Sequence, residues 1–359
     1  MYSSRDYNME QPYNGEGLMN HHRGDGTNYI SRTGEEYFDL APVCDWQKIP
    51  GTTIVQKPEL PSEKEIQKRG LTDFTGAATD GKYGVAVFDF KSPHDPLEAK
   101  KSWFFFEKEY VCLGTAINSE SPFPVATTIN QCLLKGAVTV GTNDQSSELA
   151  KGSRELDKVQ WLLHDGIAYI FPSPVSLNVS NQEETGSWYK INHQSDTPKE
   201  EIKKEVFKIW FNHGAKPKNA QYQYIVVPSV TEQELKQQSD RQIVILANSS
   251  EIQAVKHTGL NICELVFYKS GQIQISDNMK IGMDSPGLAI VECEGAKLKA
   301  ITVADPSRKL NRIHLTVNAK TDKKGANFSV WWNNEKGVSE IAIDLPQAVY
   351  GGKSVTINL

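Results

Sequence analysis

Apolar residues in this chain fall mostly in short runs of five to eleven positions, broken by Gly, Pro, Asn or Asp. The runs are rich in β-branched and aromatic side chains, which suit a pleated, half-buried surface. They predict strands over 84–90, 102–112, 159–163, 206–212, 221–227 and 242–247. A later set covers 261–269, 288–292, 298–303, 313–317, 328–332, 340–343 and 355–359. Alternation is loose in Val85, Val87 and Phe88, as expected of strands covered on both faces. Helical spacing is scarce. Ser62–Lys68 and Thr231–Gln238 each open with a hydroxyl residue followed three positions later by Glu, the capping-box pattern of a short helix. Many strands without interleaved helices predict an all-β chain of antiparallel sandwiches.

The strands shorten and become more regular after residues 248–258, which predicts a boundary there. The expected organisation is a lead-in over 1–30, a large sandwich over 31–255 and a smaller C-terminal sandwich over 256–359. A chain of 359 residues is ample for such cores. No run approaches eighteen apolar residues, so no membrane span is expected, and the start at Met1 shows no apolar signal-peptide core. The formal charge of −5 excludes a generally basic nucleic-acid binder but leaves room for a locally basic cleft. His21, His22 and Arg23 form the most basic short patch near the junction, while Lys199, Lys203, Lys204 and Lys208 read as a solvated face. The five cysteines are odd in number, widely spaced and without a Cys-x-x-Cys pair, so free, mostly buried thiols are expected.

Several segments in a fixed order carry more information than any one of them. Glu10 to Gly17 is followed by Gly24-Asp25-Gly26-Thr27-Asn28-Tyr29 and then by Asp45-Trp46-Gln47-Lys48-Ile49-Pro50-Gly51-Thr52-Thr53. Trp103 to Phe106 precedes Val111 to Gly114, then Thr127-Thr128-Ile129-Asn130-Gln131, then His164-Asp165-Gly166. Thr185 to Asn192 and Tyr222 to Pro228 complete the series. Over about residues 3–275 this order resembles polysaccharide lyase family 8, which contains chondroitin AC, chondroitin ABC, hyaluronate and xanthan lyases.

The resemblance implies a large antiparallel supersandwich followed by a smaller sandwich. It also implies eliminative cleavage of a uronic-acid polysaccharide. A side-chain amide offsets the substrate carboxylate, a Tyr or His removes the C5 proton, and the glycosidic oxygen leaves from C4. Such proton transfer contributes about 10²–10⁴-fold. In the family the Asn, His, Tyr and Arg for these steps lie on a helical toroid upstream of the junction. Only nine residues precede Glu10 here, so the expectation is a lyase β-half without that toroid, shaping one wall of the cleft and inactive alone. Its implied partners are an acidic, glycosaminoglycan-like polysaccharide and a helical catalytic domain in trans, with no cofactor or metal. The implied location is secreted or periplasmic. The alternative is a non-catalytic carbohydrate-binding or interaction module derived from such a lyase.

By the same resemblance, Glu10 and Asn14 are the auxiliary catalytic candidates, a carboxylate to orient an Arg and an amide to meet the sugar. Here they stand four apart with Pro12 between, where the family uses three, so Gln11 or Glu16 are alternatives for these roles. Arg5, Glu16, His21 and His22 are the substrate-binding candidates. His21, His22 and Asp25 also admit a metal reading, but no third ligand stands at a helical spacing. Arg23-Gly24-Asp25 reads as a tight turn and His164-Asp165 as a strand end. Trp188, Trp210 and the pair Trp331-Trp332 are candidate sugar platforms. On a strand, one of the adjacent pair must face outward.

Overall fold

The structure, a computed structural model, describes the chain except residues 2, 6–14, 61–68, 143–144, 238–241, 296 and 322. The expected helix over Ser62–Lys68 and the candidates Glu10, Gln11 and Asn14 lie outside the described residues. The chain is all-β. Among the described residues the only α-helix is α1 (Glu232–Gln237). It opens as its sequence predicts: the Thr231 amide and hydroxyl both donate to Glu234 Oε2 at 2.8 and 2.7 Å.

The large sheet contains β1 (Thr53–Val55), β2 (Thr75–Thr79), β3 (Gly84–Lys91), β4 (Leu97–Phe105), β5 (Tyr110–Ser119) and β6 (Pro124–Leu133). It continues with β7 (Val138–Gly141), β8 (Ser146–Glu148), β9 (Gly152–His164), β10 (Ile167–Gly186), β11 (Ile202–Ala215) and β12 (Ala220–Pro228). Its strand order is β1-β6-β11-β10-β12-β5-β4-β3-β2, with β9, β7 and β8 branching from β10. The central strand β10 pairs antiparallel with β9, β11 and β12. Tyr169, Phe171, Phe207 and Tyr224 bury their rings along these strands. The β9–β10 hairpin closes on Asp165-Gly166, with φ of 46° and 68°. Two consecutive left-handed residues match the twist of the flanking strands, and Gly adopts that region without a Cβ penalty.

The predicted strand over 102–112 is two strands. β4 ends at Phe105 and β5 begins at Tyr110, and the Phe106 amide donates to the Glu109 carbonyl at 3.0 Å. The charged pair Glu107-Lys108 sits in this turn, where it stays in water.

The C-terminal part adds β13 (Ile243–Asn248), β14 (Ile252–His257), β15 (Ile262–Phe267), β16 (Gly271–Ser276), β17 (Met279–Met283) and β18 (Gly287–Glu294). It ends with β19 (Lys297–Ala304), β20 (Arg312–Val317), β21 (Phe328–Asn333), β22 (Val338–Asp344) and β23 (Val355–Asn358). A six-stranded sheet, β13-β14-β15-β18-β19-β23, and a five-stranded sheet, β16-β17-β20-β22-β21, share one apolar core. Leu265, Phe267, Val291 and Ile301 enter it from the first sheet, and Ile281, Leu315, Ile341 and Ile343 from the second.

Contacts along the chain define two compact units. One is Met1–Thr72, Asp89–Ala99 and Ala116–Gln237; the other is Asp73–Phe88, Lys100–Thr115 and Gln238–Leu359. β13, read from sequence as the last strand before the boundary at 248–258, pairs with β14 in the six-stranded sheet. Within the second unit, Ser102 Oγ and Tyr268 OH both donate to Gln253 Oε1 at 2.8 Å, and Asn248 Nδ2 donates to the Gly114 carbonyl at 3.3 Å. Polar pairs of this kind tie strands distant in sequence into one unit. A single cut in the sequence does not describe them.

Candidate functional site

The residues from Gly15 to Thr53 lie in the first unit and run as turns and single-turn 3₁₀ helices until β1. With few ladder bonds of their own, their backbone groups need partners from elsewhere. β6 supplies some of them through Gln131 and its own backbone, while Thr127 and Asn130 bind side chains of the junction. Gln131 Oε1 accepts the Asp45 amide at 2.8 Å, and its Nε2 donates to the carbonyls of Asp45 at 3.0 Å and Lys48 at 2.9 Å. Asn130 Oδ1 accepts the Tyr37 hydroxyl at 3.0 Å, and Asn130 Nδ2 donates to Tyr169 OH at 2.7 Å. Thr127 Oγ1 lies 2.9 Å from Thr53 Oγ1 and 2.8 Å from His213 Nε2. The Thr127–Gln131 segment therefore acts as a rack for the junction.

Within the junction, Gln47 and the Lys57 backbone exchange two bonds of 2.7 Å. Lys48 Nζ donates to Gln56 Oε1 at 2.6 Å and Asp45 Oδ2 at 3.2 Å, and stands 5.0 Å over the Trp210 ring. Gly51 takes φ +82°, and a Cβ there would run into Asn28, whose amide donates to the Pro50 carbonyl at 3.0 Å. That close approach explains why a glycine stands in the Pro50-Gly51-Thr52 corner.

The sequence-predicted site residues separate. Glu16 is exposed in the turn before the first 3₁₀ helix, next to Gly15, whose carbonyl accepts the His193 amide at 2.7 Å. Arg5 is half-buried, its amide donating to Ser3 Oγ at 3.2 Å. His21 and His22 are closed off from solvent, at 0 and 1% exposure. His22 Nδ1 lies 2.9 Å from Asp25 Oδ2, which is also buried, so Arg23-Gly24-Asp25 is a structural turn. The rings of His21, His22 and His94 cluster, with centroids 5.7, 5.7 and 6.4 Å apart. Among the described residues no group of His, Cys, Asp or Glu is arranged to hold a metal ion.

Sequence reasoning missed His94 and Glu36. His94 is far from His21 in the chain, and no spacing signals the contact. Glu36 accepts from the amides of Arg32, Thr33 and Gly34 at 2.9, 2.8 and 3.0 Å. The run Ser31-Arg32-Thr33-Gly34, rich in turn formers ahead of the pair Glu35-Glu36, is the one available signal.

Two cavities flank Trp46 and Cys44. One, of about 550 Å³, is lined by Asp45, Glu59, Glu184, Lys190 and Lys208, with Lys208 bound to Glu184 at 2.6 Å. The other, of about 370 Å³, is lined by Arg23, Tyr29, Tyr37 and Ile49. Burial, then the neighbouring Asp45, pushes the Cys44 thiol up to about 12. Burial also raises the Tyr37 hydroxyl above its ordinary value. Both stay protonated near neutral pH, so neither is an activated base or nucleophile. Burial lowers His164 to about 4, its ring stacked 4.3 Å from Phe207 and its Nε2 accepting the Lys135 amide at 3.1 Å. This places His164 in the framework, as a strand-end residue.

The His164 shift fixes the sign of a pH effect. The imidazole is neutral in the fold and protonates near 6.5 when unfolded. Its contribution is therefore present above pH 6.5 and lost as pH falls towards 4. Glu264, whose carboxyl burial raises, gives a slope of opposite sign, so a variant difference is the cleaner measure. In denaturant titrations between pH 7.5 and 4.5, His164→Gln should be less stable than the parent at pH 7.5 and show a shallower fall. Parallel profiles would remove His164 from the account.

The comparisons with known proteins agree with this framework. Residues 1–239 match the super-sandwich domain of polysaccharide lyase family 8, and residues 244–314 match its C-terminal beta-sandwich domain. Chondroitinase-AC of Pedobacter heparinus is 35% identical over 350 residues, covering 96% of this chain and 47% of that protein. Hyaluronate lyase of Thermasporomyces composti is 27% identical, over 85% of this chain and 39% of that protein. A solved chondroitinase AC lyase superimposes with a TM-score of 0.86 at 33% identity, covering 99% of this chain and 50% of that one. A Paenibacillus xanthan lyase gives 0.86 at 25% identity, covering 100% and 35%. The chain thus spans half or less of the length of these relatives, and its two domain matches in their family order show that it belongs to polysaccharide lyase family 8.

Proposed function

We propose that this chain is the β-half of a lyase that cleaves a uronic-acid polysaccharide of the chondroitin or hyaluronan type by elimination. It shapes one wall of the substrate cleft and does not turn substrate over alone. The observation that carries this reading is the state of the junction's own acid–base groups. Tyr37 and Cys44 are held protonated, and His21 and His22 are buried. Elimination needs a base within reach of the C5 proton and donors that stabilise the developing charge. A helical domain, on the same longer polypeptide or in trans, supplies those groups in this reading. Action on an extracellular polysaccharide fits secretion or export to the periplasm, and among the described residues no helix is long and apolar enough to cross a membrane.

Purified chain 1–359 is expected to release no unsaturated uronate from chondroitin, hyaluronan or xanthan, followed by the ultraviolet absorbance of the new double bond. Adding a helical domain from the same polypeptide should restore release. Sustained turnover by the chain alone would sink the half-enzyme reading. Binding of polysaccharide with no gain from any helical domain would mark a non-catalytic module instead.

A further inference from the structure

The five-stranded sheet of the C-terminal sandwich turns one face to the core and leaves the other open. Ile281, Leu315, Ile341 and Val330 point inward. Strand alternation sends their neighbours outward. The registers align five of these outward residues in one row across every strand of the sheet: Gln272 opposite Gly282, Gly282 opposite Thr316, Thr316 opposite Glu340, and Glu340 opposite Trp331. A cavity of about 560 Å³ lies over the first four of them, Gln272, Gly282, Thr316 and Glu340, and is lined also by Asp284, His314 and Lys336, with Trp331 next to Glu340 beyond its lining. Gly282 makes the notch: a Cβ there would collide with Thr316 Oγ1 and stand 3.6 Å from Gln272 Cβ.

Trp331 closes the row at the sheet edge with 44% of its surface exposed. Its cross-strand neighbour Glu340 accepts from Asn333 Nδ2 at 2.8 Å and from Lys336 Nζ at 3.1 Å. These donors, Asn333 first and Lys336 next, lower the Glu340 carboxyl and keep it an acceptor.

We propose that this face binds an uncharged pyranose oligosaccharide, with Trp331 as the stacking platform and Gln272, Asp284 and Thr316 as partners for sugar hydroxyls. The apolar C–H face of a pyranose packs on an aromatic ring, and its hydroxyls need amide, hydroxyl and carboxylate partners at the same spacing. The charge balance chooses among sugars. Lining the cavity are two carboxylates, Asp284 and Glu340, one ammonium, Lys336, which already pairs with Glu340, and the His314 imidazole. That balance repels uronate and sulfate groups and suits vicinal hydroxyls. The site is distinct in chemistry from a cleft for an acidic polysaccharide, and its test needs no lyase activity.

The test is calorimetric titration of chain 1–359 with cellohexaose, xylohexaose and mannohexaose, and with a chondroitin hexasaccharide as the anionic probe. At least one neutral hexasaccharide should saturate the chain and quench tryptophan fluorescence. Trp331→Ala should weaken that binding by roughly tenfold or more with Tm unchanged. The chondroitin probe should bind at this face at least roughly tenfold more weakly. If Trp331→Ala does not fold, Gln272→Ala, an exposed position on an edge strand, should weaken binding in the same direction. The proposal is overturned if no neutral probe binds. It is equally overturned if binding survives the substitution in a folded chain, or if the chondroitin probe binds as tightly and loses that binding with Trp331.

Discussion

Replacing Glu36 with alanine is expected to destabilise the chain by about 2–4 kcal/mol, the largest single stability effect the junction offers. The side chain has 2% exposure and is covered by the loop it organises. Its two oxygens accept three backbone amides, the Thr33 hydroxyl at 3.1 Å and the Ser31 hydroxyl at 3.2 Å. Alanine leaves these donors without their acceptor in a place water reaches poorly, and each such loss costs about 1–3 kcal/mol less whatever relaxation recovers. The damage spreads because the Glu36 carbonyl accepts the Leu133 amide at 2.8 Å, and Tyr37, the next residue, holds Asn130. Burial alone would raise the Glu36 carboxyl. The amides of Thr33, Arg32 and Glu36 itself, with the Thr33 hydroxyl, outweigh it and bring the pKa down to about 2. The stabilisation is therefore complete above pH 4.5 and is lost as pH falls towards 2. Denaturant unfolding at pH 7 and pH 3 is the measurement. Parent and Glu36→Ala should differ widely at pH 7 and much less at pH 3. A difference at pH 7 within about 0.5 kcal/mol would show that water replaces the carboxylate.

Glu36 also shows where sequence reading stops. A strand such as β11 announces itself, because Val206, Phe207, Ile209, Trp210 and Phe211 are β-branched or aromatic and the strand is buried on both sides. The capping box of α1 is equally local, with donor and acceptor three residues apart. Glu36, in contrast, binds mainly backbone amides, which every sequence possesses. β4 and β5 were read as one strand because Glu107 and Lys108 interrupt the apolar run for only a few residues. β16 and β17 were missed because Gln272, Gln274 and Lys280 on their outer face dilute the apolar signal of Ile273 and Ile281. The division into units was hidden for a related reason. Ser102 and Gln253 meet across 151 positions, and nothing local in either residue foretells the pairing.

The order of the family segments was legible, and the structure gives that order a physical meaning. Thr127-Thr128-Ile129-Asn130-Gln131 reads as an ordinary polar strand by itself. Its side chains become informative only beside Asp45, Lys48, Tyr37 and Thr53, which they bind. Gly51 carries the same lesson, since its role depends on Asn28 lying against it. Two of the segments that carry the resemblance, Asp45–Thr53 and Thr127–Gln131, are thus the two sides of one polar seam. The seam holds the junction still whether or not any of its own groups touches a substrate.

A held junction gives the candidates ahead of it their expected signature, a separation of rate from stability. Glu10 and Asn14, outside the described residues, precede Gly15, whose carbonyl is already fixed by the His193 amide. If they face a cleft, Glu10→Ala or Asn14→Ala in chain 1–359 should shift unfolding by no more than about 0.5 kcal/mol. In the longer polypeptide that includes a helical half, the same substitutions should lower kcat by an amount equivalent to about 2–4 kcal/mol, the scale of losing a group that orients transition-state charge. The Glu10 carboxylate would do this by holding a guanidinium in one plane, and the Asn14 amide by meeting a sugar hydroxyl or carboxylate. A fall in kcat with KM nearly unchanged marks orientation, while a rise in KM alone marks uniform binding. If Glu10→Ala unfolds the isolated chain, the residue is an anchor of the junction. If the longer enzyme keeps its rate, the four-residue spacing around Pro12 has shifted the roles, and Gln11 and the exposed Glu16 are the next positions at which the rate should fall.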